Sequence, residues 1–189
     1  MPPAGGQFAD ESDVRYRLVE MDPGLGIGQA LDSLGQLTYA QKRHEDAQAF
    51  FSEAANQFPE MRDMMSLSRV LNHQGFNALA LKEWADARIT FQDSLKTAHE
   101  GGIIPVMLNA LIGLAALQIQ QKASPETLAL ILFILQHPSS NQETKELAKR
   151  LLPEAKAQLT QEEINVAQED ATLNDLDKFT HGMLDTFSL

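Results

Sequence analysis

Residues 31–59 read LDSLGQLTYAQKRHEDAQAFFSEAANQFP, and the same order of small and bulky residues returns in residues 70–95, VLNHQGFNALALKEWADARITFQDSL. Leu31, Gly35, His44, Ala47 and Phe51 recur as Leu71, Gly75, Trp84, Ala87 and Phe91, each 40 residues later. A fixed period of this length indicates a repeat architecture before any fold is named. Within each copy the apolar residues fall three and four apart, never in sustained alternation. Each copy therefore reads as two helices joined by a short turn, and no strand is expected. The glycine of the first helix lets the second approach closely, and the phenylalanine of the second fills the space between pairs.

A third stretch, residues 104–138, reads IPVMLNALIGLAALQIQQKASPETLALILFILQHP. Ile112 and Gly113 stand where the first copy carries Leu34 and Gly35, and Ser124-Pro125 is a strong helix start. The later alanine and phenylalanine are missing, so this copy is degenerate. Upstream, residues 1–10 read as a flexible terminus, and a helix is expected over Glu11–Met21, stopped by Asp22-Pro23-Gly24. Downstream, Ser139 or Ser140 is the expected cap of a helix reaching about Leu159, with a kink or break near Leu152 forced by Pro153. Thr160-x-x-Glu163 matches a capping box opening a helix to about Glu169, and Thr172-x-x-Asp175 a weaker one opening the last. Residues 139–189 are thus expected to cap the array, because an exposed solenoid end needs a cover.

Composition bounds the function. At 189 residues with 43% hydrophobic and 22% charged residues, the chain can bury its own core. Zero cysteines removes disulfides, thiol catalysis and thiolate metal sites, and makes the cytoplasm the expected location. With 26 acids against 15 bases the net charge is -11, which disfavours direct nucleic acid or anionic lipid as a partner. No apolar run reaches the roughly 20 residues of a membrane span, and MPPAGGQFADES has neither a basic nor an apolar leader region.

The repeated residues also define the tetratricopeptide repeat, which this chain resembles. Leu34, Gly35, Ala47, Phe51, Ala54 and Pro59 match that signature at the family's spacing. Gly75, Ala87, Phe91 and Leu95 continue it, with Gln74 and Ser94 departing from the preferred leucine and alanine. The 40-residue period resembles the MalT-like subset found in bacterial signal-transduction ATPases of the STAND type and in large transcriptional regulators. MDPGLGIGQALDSLG, residues 21–35, looks like the linkage between such repeats, and the tail over residues 102–159 looks like their terminal repeat. The resemblance implies an all-α solenoid with a right-handed superhelix, with repeats over about 28–61, 68–101 and 106–138 and a half repeat at 11–21. It further implies an excised C-terminal piece of a larger sensor.

Sites of chemistry are harder to find. Gly24, Gly26 and Gly28 could suggest a phosphate loop, but no strand precedes them and no lysine-serine pair follows, so they read as an inter-repeat turn. His44, His73, His99, His137 and His181 show no i, i+4 pairing or H-E-x-x-H spacing. Glu162 with Glu163 and Asp175 with Asp177 read as helix-start acids. No nucleophile with a companion base is identified, so no enzyme, cofactor or metal is expected. On the resemblance, the first helix of each pair lines a concave groove. Its groove positions are Gln29, Asp32, Gln36 and Tyr39 in the first unit, and Arg69, Asn72, Phe76 and Leu79 in the second. In the third, Met107, Ala110, Leu114 and Leu117 form an apolar wall expected to lie under the C-terminal helices. Trp84 reads as packing, and Met61, Met64 and Met65 as core. The implied role is a non-catalytic module that binds a peptide, protein or effector, with a stand-alone adaptor or assembly chaperone as the alternative and a homo-oligomer also open.

Overall fold

The computed structural model describes residues 23–61 and 63–185. The expected flexible residues 1–10 and the half repeat at 11–21 lie outside the described residues. Nine helices and no strand occur among the described residues, so the protein is all-α. The chain forms two compact units that divide between Asp63 and Met64. The first contains α1 (Pro23–Ala40) and α2 (His44–Met61). The second contains α3 (Met64–Leu81), α4 (Trp84–Glu100), α5 (Ile104–Gln121), α6 (Pro125–Gln136), α7 (Gln142–Ala157), α8 (Gln161–Leu173) and α9 (Leu176–Asp185).

In the first unit α1 and α2 form an antiparallel hairpin, and glycine sets its closeness. A Cβ on Gly35 would lie 2.5 Å from the Phe51 ring, and one on Gly28 would lie 2.7 Å from the Phe58 ring. Any larger residue at either position would drive the helices apart. The hairpin turn is a Schellman closure: the Arg43 N–H donates to the Thr38 carbonyl at 2.9 Å and the Lys42 N–H to that of Tyr39, also at 2.9 Å. It requires Lys42 in the left-handed region, at φ 63°.

The α3–α4 hairpin of the second unit repeats these features 40 residues on. Lys82 also sits at φ 63°, the Glu83 N–H donates to Ala78 at 2.9 Å, and a Cβ on Gly75 would lie 2.6 Å from the Phe91 ring. Of the two departures from the repeat pattern, Ser94 has a local cause. Ser94, where an alanine is preferred, donates its buried hydroxyl to the Ser68 carbonyl at 2.7 Å and so ties α4 to α3. Gln74 is half-buried on α3.

Phe91 also reaches the next helix. A Cβ on Gly113 of α5 would lie 2.5 Å from its Cε1, so one ring fills the space between two glycines on two helices. Here the degenerate third copy still obeys the packing rule. α5 is the centre of the second unit: residues 110–115 are buried without interruption, and α3, α4, α6, α7 and α9 all touch it. By length and composition it is also the one described helix apolar enough to cross a membrane, and more than half of it is buried in this core.

Several local expectations need correction. Gly24, Gly26 and Gly28 lie inside α1 instead of forming a turn; the only glycine with positive φ among the described residues is Gly102, in the turn before α5. Pro153 does not end α7, which continues to Ala157 with Ala155 buried. The cap of α7 is Asn141, whose Oδ1 accepts from the Thr144 N–H at 2.8 Å, while Ser140 Oγ donates to the Ile134 carbonyl at 2.6 Å and closes α6. α8 opens on the Thr160–Glu163 capping box and runs past Glu169 to Leu173. Thr172 lies within it, and Asp175 caps α9 by accepting from the Lys178 N–H at 2.9 Å. The box at Ser124 and Thr127 opens α6, with Pro125 in its first turn. Met64 and Met65 are exposed instead of core, and Trp84 is 41% exposed.

Candidate functional site

The first helix of each hairpin keeps one face out of its own core. On α1 one line of exposed or partly exposed positions runs through Gln29, Ser33, Gln36 and Ala40, spaced four, three and four apart. On α3 the same phase gives Arg69, His73, Phe76 and Ala80, each 40 residues later. That spacing is one stripe along a helix. The stripe is therefore a repeated feature like the turns and the glycines.

Four of the eight sequence-derived groove residues lie on this stripe: Gln29, Gln36, Arg69 and Phe76. Tyr39 sits beside it, 37% exposed, with its ring edge-on to His44 at 5.2 Å between centroids. Asp32 and Asn72 do not belong to an accessible surface. Asp32 is 2% exposed and accepts from Gln36 Nε2 at 3.1 Å. Asn72 is 1% exposed, and its Nδ2 donates to the Val106 carbonyl at 3.0 Å, pinning α3 to the start of α5. The physical reason is phase: residues 32 and 72 lie one helical step inside the stripe, and a polar side chain there serves the interior. Leu79 is half-buried and packs against the core of the second unit. Ser33 and His73 were missed, although their positions follow from Gln29 and Arg69 by adding one helical turn.

Phe76 has two roles. It is half-buried, and its ring meets Phe91 edge-on at 4.9 Å, so only part of it is available to a ligand. The third copy carries no open stripe. Met107, Ala110, Leu114 and Leu117 are all buried, and the C-terminal helices α7 and α9 are among those touching α5.

The stripe on α1 offers two side-chain amides and a hydroxyl, groups that both donate and accept. The stripe on α3 offers a guanidinium, an imidazole and an aromatic edge. Such groups can bind backbone amides, a carboxylate or an apolar side chain. They form no acid-base dyad in a desolvated pocket. Among the described residues no three His, Asp or Glu side chains converge as a metal site would need.

One carboxyl group outside the stripe has a shifted pKa. The Thr160 backbone N–H donates to the Glu163 carboxylate at 2.8 Å and holds its pKa below the ordinary value; the Thr160 hydroxyl at 2.9 Å adds to this, and the Lys122 charge contributes a smaller pull. This is the chemistry of a helix cap. No protein-family model, curated protein or solved structure matches this chain.

Proposed function

We propose that the protein is a non-catalytic interaction module, a tetratricopeptide-like α-solenoid of stacked hairpins that binds a peptide or helical segment of a protein partner along the stripes of its first helices. The observation that carries this reading is the stripe itself, which recurs at the same 40-residue offset as the packing glycines while its residues change from Gln29, Ser33 and Gln36 to Arg69, His73 and Phe76. A stacking face must keep its shape from copy to copy, whereas a face that reads a ligand can differ at each step. Amides suit a ligand's backbone groups, and a cation beside an aromatic edge suits an acidic or apolar side chain.

The experiment is a selection of displayed peptides on the purified chain, followed by affinity measurement on variants. Gln36→Ala, Tyr39→Ala and Arg69→Ala together truncate three exposed side chains, and the account expects affinity to fall at least about tenfold. Ile89→Ala on the exposed side of α4 leaves it unchanged. Unaltered affinity in the triple variant would defeat the proposal.

A further inference from the structure

We draw no further inference here: the strongest candidate, the exposed apolar patch at one end of the second unit where Met64 and Met65 of α3 and Ile104 of α5 lie beside the α4–α5 turn, carries nothing because nothing in the structure shows what covers it.

Discussion

Replacing Gly75 by alanine puts a methyl group where the Phe91 ring now lies. At an open helical position this substitution stabilises by about 1 kcal/mol, because glycine loses more backbone freedom on folding. Here the new Cβ would stand 2.6 Å from Cε1 of a ring that is wholly buried. The ring has no room to retreat, since Gly113 of α5 bounds it as well. Overpacking of this kind costs about 1–3 kcal/mol, so the net effect of Gly75→Ala is a loss of about 1–2 kcal/mol. Phe91→Ala alone costs about 3–5 kcal/mol through lost contacts and a cavity. In that background the methyl of Gly75→Ala enters empty space, and the substitution stabilises by about 1 kcal/mol. The sign reverses, and the double-mutant cycle gives a coupling of about 2–3 kcal/mol, as expected for residues in contact. Urea unfolding followed by far-UV circular dichroism measures all four chains, with the m-value checked for constancy. A rise in midpoint for Gly75→Ala in the unmodified chain would refute the packing argument.

Three further outcomes follow from the same geometry. Lys82→Gly relieves a lysine held at φ 63° and stabilises by about 0.5–1 kcal/mol in the same urea assay. Asn141→Ala removes the acceptor for the Thr144 N–H and destabilises by about 1 kcal/mol, with a lower melting temperature. Because folding lowers the pKa of Glu163, its contribution is present in full above the ordinary value of 4.5 and disappears as pH falls through the lower folded value. Glu163→Gln therefore flattens the loss of thermal stability that melts show as pH falls below the ordinary value of 4.5.

Much of the fold was legible because close packing leaves a signature in residue size. Gly35 with Phe51 and Gly75 with Phe91 are contacts that no other pair of sizes could make at that spacing, and they announced both hairpins. Caps were legible where the hydrogen bond lies within four residues, as at Ser124 and Thr160. They were misread at Ser140 and Thr172, because Ser140 is drawn to the Ile134 carbonyl and α8 runs on through Thr172. Gly24, Gly26 and Gly28 signalled a turn by composition, yet Gly28 serves Phe58 across the hairpin. The candidate surface was read one helical step out of phase in part. Asn72 looked like a ligand-binding amide, and only the position of α5 reveals that it holds the Val106 carbonyl instead.

The central claim is that the repeated stripe binds a peptide. Amide chemical-shift mapping of the isotope-labelled chain with a selected peptide addresses it directly. The account predicts that shifts concentrate at Gln29, Gln36, Tyr39, Arg69 and His73. Shifts centred instead on the outer residues of α4, such as Ile89 and Asp93, would contradict it.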